Sequence, residues 1–133
     1  MAHDPNRSLI PGLTAQVKLT VTDSDTAQAM GSGDVPVLGT PRVLALAEAA
    51  TVAATATRMP ADTTTVGTKV QLEHRSPTPV GRTVVAHAEL TAVDGRRLLF
   101  AVTVTDGDTP VARGTVERVL VDRHQFVERA FQP

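Results

Sequence analysis

The stretch Leu38 to Thr57, LGTPRVLALAEAATVAATAT, constrains this chain more than any other. From Val43 to Thr57 its only charged side chain is Glu48. Thr40-Pro41 predicts a helix start, with Thr as N-cap and Pro at the first helical position, where its missing N–H costs nothing. The helix is expected to run to about Arg58, where MPADTTT ends it. A helix apolar on nearly all sides has to be buried over most of its circumference. The rest of the chain must wrap it.

The wrapping material is legible on both sides. LTAQVKLTVT (Leu13 to Thr22) alternates roughly as a strand. DSDTAQAM reads as a short helical turn capped at Ser24 or Asp25, and GSGDVPVLG as a loop. After the helix, VGTKVQLEHR places Val66, Thr68, Val70 and Leu72 on one face and Lys69, Gln71, Glu73 and Arg75 on the other. SPTPVG breaks the pattern. RTVVAHAELTAV and RRLLFAVTVT then pair through a hairpin at Asp94-Gly95. A turn at Asp106-Gly107-Asp108 leads into the last long strand, PVARGTVERVLV, and DRHQFVERAF closes as a short helix. Strand, long helix and a four-strand meander predict an α+β fold, an antiparallel sheet of about five strands wrapped around one long central helix. Residues 1–12 are read as an N-terminal arm and 13–133 as a single domain.

Composition excludes several functions. There is no apolar run near 18 residues and no basic-plus-apolar leader, so neither a membrane span nor a signal peptide is expected, and the location is read as cytoplasmic. The absence of cysteine excludes disulfides and thiolate metal sites. A net charge of -1, no Trp, no Tyr and three Phe argue against nucleic-acid binding. No His-x-x-x-His or carboxylate-rich spacing occurs, so no metal is expected. No phosphate-binding glycine motif and no serine elbow is present.

Strand parity then singles out residues on the wrong face. His74 lies with Val70 and Leu72, and Arg118 with Ala112, Gly114, Val116 and Leu120. Each alone has an ordinary explanation, a hydrogen-bonded core histidine or a snorkelling arginine. Together with Glu48 they are better explained by one shared polar site, because charges away from water need partners. The other histidines are set aside: His3 in the arm, His124 in an exposed turn, and His87 on a solvated face with Glu89 and Thr91. Thr40 and Glu48, eight residues apart, sit about 80° around the helix and roughly 12 Å along it. They cannot meet within one helix. They meet if a two-fold axis lays the helix antiparallel to itself, which predicts a homodimer with two equivalent interfacial sites.

This combination resembles the hotdog-fold thioesterases, most closely the fluoroacetyl-CoA thioesterase-like family. That family has a Thr at the start of the central helix, here Thr40, a Glu eight residues on, here Glu48, and a His in the next strand, here His74. Gly67, seven residues before the His, and the GTVER strand carrying Arg118 fit as well. The resemblance spans Leu13 to about Phe126. It implies a hotdog fold and a homodimeric acyl-CoA thioester hydrolase with no metal or redox cofactor. Thr40, Glu48 and His74 would be catalytic, and Gly67 and Arg118 would contact substrate. Whether two dimers associate further is left open.

In the family's fluoroacetyl-CoA enzyme, Phe side chains in the loop before the helix help gate the acyl pocket. Here AMGSGDVPVLG has no aromatic, so the expected substrate is a short acyl-CoA without strict fluoroacetyl selectivity. The helix N-terminus suits an oxyanion, with donors from Arg42 onward or from the partner chain because Pro41 has none. Glu48 is base or nucleophile, His74 orients or relays, and Thr40 caps the helix or accepts the acyl group. The competing reading is a non-hydrolytic module holding an acyl-CoA or a small apolar ligand, with Glu48 and His74 satisfying each other as a buried pair. A hotdog hydratase would need a differently placed Asp and His.

Overall fold

The computed structural model describes residues 8–133; His3 and the first seven residues of the expected arm lie outside them. The elements in chain order are β1 (Thr14–Thr20), a 3-10 turn (Asp23–Asp25), α1 (Ala27–Met30) and α2 (Thr40–Thr55), which tightens into a 3-10 turn over Ala56–Arg58. Four strands follow, β2 (Thr63–His74), β3 (Thr83–Asp94), β4 (Arg97–Asp106) and β5 (Thr109–Asp122), and then α3 (Arg123–Arg129). The strands form one antiparallel sheet in the order β1-β3-β4-β5-β2. This is the expected α+β hotdog arrangement of five antiparallel strands and one central helix, but only β3, β4 and β5 form a meander, and β2 pairs with β5 instead of continuing into β3.

Alternation in the central strands makes the floor. Val84, Ala86, Ala88 and Leu90 of β3 lie beside Leu98, Phe100, Val102 and Val104 of β4, all buried. On them α2 lays Val43, Leu46, Ala47, Ala50 and Ala54. Alanines dominate that face, so the helix backbone approaches the sheet closely at interior packing density. Leu9, assigned to the arm in the sequence, is only 2% exposed and joins this core. The hairpin loops begin at Gly95 (φ 60°) and Gly107 (φ 58°), the positive φ that tight two-residue loops demand.

Three local features depart from the sequence reading, and each bears on the site. The N-cap of α2 is Gly39, with extended backbone (φ -79°, ψ 145°), so Thr40 is the first helical residue and Pro41 the second. The cap of α1 is Thr26, whose hydroxyl accepts from Ala29 N, rather than Ser24 or Asp25. In β2 the register with β5 shifts between Gly67 and Lys69, leaving Thr68 as an extra residue. That bulge inverts parity. Thr65 and Gly67, not Val66 and Thr68, therefore share the inner face with Val70, Leu72 and His74.

The sheet wraps one side of α2. Along the opposite side Pro41, Ala45, Ala49, Val52 and Ala53 are exposed, a stripe of small apolar residues. β2 is an edge strand with one side unpaired among the described residues. No helix among the described residues is long and apolar enough to cross a membrane.

Candidate active site

The bulge at Thr68 assembles the first polar centre. It turns Thr65 and Gly67 inward, opposite Leu120 and Arg118 of β5. Arg118 is 7% exposed, so its guanidinium must be paired. Its Nε donates to Thr65 Oγ1 (2.9 Å), its Nη2 to Thr65 O (3.1 Å) and its Nη1 to Glu48 Oε2 (2.9 Å). Gly67 is the floor of this contact. A Cβ built there would collide with Glu48 Oε2 and crowd Arg118 Nη1. With Glu48 held in this position by Arg118 only a hydrogen atom fits, which accounts for a glycine in mid-strand. Glu48, with its side chain 30% exposed, is held by Arg118 on one oxygen and partly open to solvent.

The second centre sits where the N-terminus of α2 meets the end of β2. Thr40 Oγ1 lies 2.8 Å from His74 Nδ1. Had Thr40 capped the helix, its hydroxyl would be committed to a backbone N–H; with Gly39 as cap it is free for the imidazole. The opposite ring nitrogen, Nε2, is buried with no hydrogen-bonding partner. Burial pushes the His74 pKa below 6.5, partly opposed by a backbone hydrogen bond to Ser76. Arg42 N–H bonds to Gly39 O (3.0 Å) and Pro41 has no N–H. The donor left at the start of the helix is therefore that of Thr40 itself, a correction to the expectation that donors begin at Arg42.

A cleft of about 300 Å³ opens beside Thr40 and His74, with an aliphatic wall of Val35, Val37, Leu38 and Pro77. The loop before α2 supplies most of that wall. Arg75 reaches the same cleft, but its guanidinium is tied to Glu73.

Within one chain the two centres stay apart. Thr40 and Glu48 are separated by eight residues of α2, about 12 Å. Within this chain Glu48 pairs with Arg118 and His74 with Thr40, so a Glu48–His74 pair could form only between two copies. His124 is exposed as the sequence suggested, though on α3 and not in a turn, and His87 is half-buried on the outer sheet face. Thr65 was missed by sequence reasoning. An isolated Gly inside a strand pattern, at Gly67, was the available sign of a bulge and a close approach.

Comparison with known proteins adds the remaining observations. Residues 21–124 match the family described as FlK, Fluoroacetyl-CoA-specific thioesterase. The fluoroacetyl-CoA thioesterase of Streptantibioticus cattleyicolor is 39% identical over 61 residues, which span 46% of this chain and 44% of that protein. The chain thus matches less than half the length of that curated relative. A solved structure of the fluoroacetyl-CoA thioesterase FlK superposes with a TM-score of 0.85 at 28% identity, covering 93% of this chain and 98% of that one. A hot-dog-like protein from Thermanaerovibrio acidaminovorans superposes with a TM-score of 0.87 at 22% identity, covering 98% and 99% of the two chains; that likeness concerns the fold.

Proposed function

The chain belongs to the family of fluoroacetyl-CoA-specific thioesterases, and on that footing we propose that it hydrolyses the thioester of a short acyl-CoA at a site shared between two copies of the chain. The observation that carries this reading is the 2.8 Å contact between Thr40 Oγ1 and His74 Nδ1. It sets a hydroxyl and a base within hydrogen-bonding reach at a helix N-terminus, beside an aliphatic cleft. This route uses the tautomer with the ring proton on Nε2, which leaves Nδ1 to accept from the Thr40 hydroxyl.

Thr40 Oγ1 attacks the thioester carbonyl carbon while His74 Nδ1 takes its proton. The carbonyl oxygen collects negative charge beside the Thr40 N–H and the positive end of α2. Collapse breaks the C–S bond, and the departing thiolate takes the proton from His74. Water then attacks the acyl-threonine carbonyl carbon while a carboxylate acting as general base takes its proton; the ester C–O bond breaks, that proton returns to Thr40 Oγ1 through His74, and the free acid leaves. That carboxylate is Glu48 of the partner subunit, because the chain's own Glu48 lies about 12 Å down the helix. Arg118 fixes one of its oxygens and leaves the other for water.

Two features support a two-fold axis between the copies. Placed near Leu44, midway between Thr40 and Glu48, it sets the first two turns of the two α2 helices antiparallel, with the exposed Ala45 of each copy close to the axis. It also sets two free β2 edges antiparallel about Val70 and Gln71, midway between Gly67 and His74, so that edge backbone groups pair. The aliphatic, aromatic-free cleft supports a short alkyl acyl group without strict selectivity for fluoroacetyl.

The test is thiol release from a panel of acyl-CoAs, acetyl through medium chain, by the wild type and Glu48→Gln. The wild type is expected to release CoA, and the variant to lose roughly 10²–10⁴-fold in turnover with folding retained. No release from any member would instead favour the non-hydrolytic binder.

A further inference from the structure

We propose that Asp25 is a positioning residue for the Thr40–His74 pair, acting through Arg42 and the cap of α2; this rests on the reading of Thr40 and His74 as the reacting groups. Asp25 ends the 3-10 turn after β1 and is 8% exposed. Its carboxylate accepts from Thr22 N (2.8 Å), Thr22 Oγ1 (2.8 Å) and Arg42 Nε (3.0 Å). Its backbone carbonyl accepts from Gly39 N (2.9 Å). One residue therefore grips α2 twice, at its cap and at its third residue, with Thr40 between the two points.

The division of labour is chemical. A helix that begins with Thr ordinarily uses that hydroxyl as its cap, which would withdraw Oγ1 from His74. Here the cap is a glycine with no side chain to offer, and the start of the helix is fixed from outside instead. The glycine also permits the close seat. A Cβ at Gly39 would come within 3.1 Å of Ala27 Cα. The same segment hangs the cleft wall, through Ala27 N to Val37 O (2.8 Å) and Gln28 N to Val35 O (3.1 Å). A carboxylate this deep is costly unless fully paired, and pairing both to its own turn and to α2 gives it a fixed geometry. The Thr22 backbone N–H, with further bonds from the Thr22 hydroxyl and Arg42, holds the Asp25 carboxyl below the usual carboxylate range against the opposing effect of burial. It stays ionised at neutral pH.

The experiment compares Asp25→Asn and Arg42→Met with the wild type and with Thr40→Ala. Arg42 is partly exposed at the helix surface (side chain 30%), so Arg42→Met cuts the link while leaving the Thr22–Asp25 turn intact. It decides the matter should Asp25→Asn fail to fold. The readouts are kcat and KM on the best acyl-CoA, the His74 imidazole ¹⁵N shifts, and the melting temperature as a check on folding. The linked variants are expected to lose roughly 10²-fold in kcat, the scale of a 1 Å misplacement, with KM nearly unchanged. Their Nδ1 resonance should move toward its position in Thr40→Ala. Folded variants with wild-type kcat and an unmoved Nδ1 resonance would overturn the proposal. The resonance reports on positioning even if no acyl-CoA is cleaved, so failure of the thioesterase reading is separately visible.

Discussion

His74 is placed where two requirements compete, access to Thr40 and shelter from water. Shelter disfavours the charged ring, and burial accordingly lowers its pKa below 6.5. To take the Thr40 proton, Nδ1 must be unprotonated. A ring with a lowered pKa stays neutral to lower pH, so the acid limb of kcat/KM is expected below 6.5. The stability sign agrees. As pH falls through 6.5, the unfolded chain binds a proton at His74 before the folded chain does, and folding stability declines until the folded-state pKa is passed. A pH–rate profile on an acyl-CoA checks this, and an acid limb at or above 6.5 would contradict the assignment of His74 as base.

Among the elements, α2 explains both what the sequence revealed and what it concealed. A near-continuous apolar run with a lone Glu48 predicted a central helix wrapped by sheet, and the core face of Val43, Leu46, Ala47 and Ala50 is buried as that requires. The start of the helix was displaced by one residue, because a Thr-Pro pair fits both a Thr cap and a Thr at the first helical position. What decides is the Asp25 carbonyl on Gly39 N, a contact outside the local sequence. The exposed stripe of Pro41, Ala45, Ala49 and Val52 could not be separated from the buried one by hydrophobicity alone. Its role is tested by Ala45→Glu. Near the proposed two-fold axis, that substitution sets two carboxylates against each other while leaving the core face untouched. Sedimentation should show a folded monomer, with hydrolysis reduced at least tenfold. A persistent, active dimer would exclude antiparallel pairing along this stripe.

For the whole molecule, a composite site has an arithmetic signature. Thr40→Ala and Glu48→Gln are each expected to be nearly inactive. Refolded together in equal amounts, they give half heterodimers by random pairing, and each heterodimer contains one site with both residues intact. About a quarter of wild-type turnover should return; no recovery would place the whole site within one chain. The succession of strands along the chain and the inward-facing residues His74 and Arg118 were legible from period-two alternation, since each lies in a stretch where parity holds; the pairing of β2 with β5 was not, because alternation within a strand does not name its neighbour. Thr65 was not, because alternation counted back from His74 crosses Thr68 and arrives on the wrong face. That single residue works like a frameshift in the strand. Deleting Thr68 would make Gly67 and Lys69 neighbours opposite Arg118 and Glu117 and leave Thr65 and Gly67 facing inward, whereas ironing out the bulge with Thr68 kept would exchange them for Val66 and Thr68. The bulge therefore decides which side chains face Glu48, so the register of β2 on β5, as much as residue identity, is part of what specifies the site.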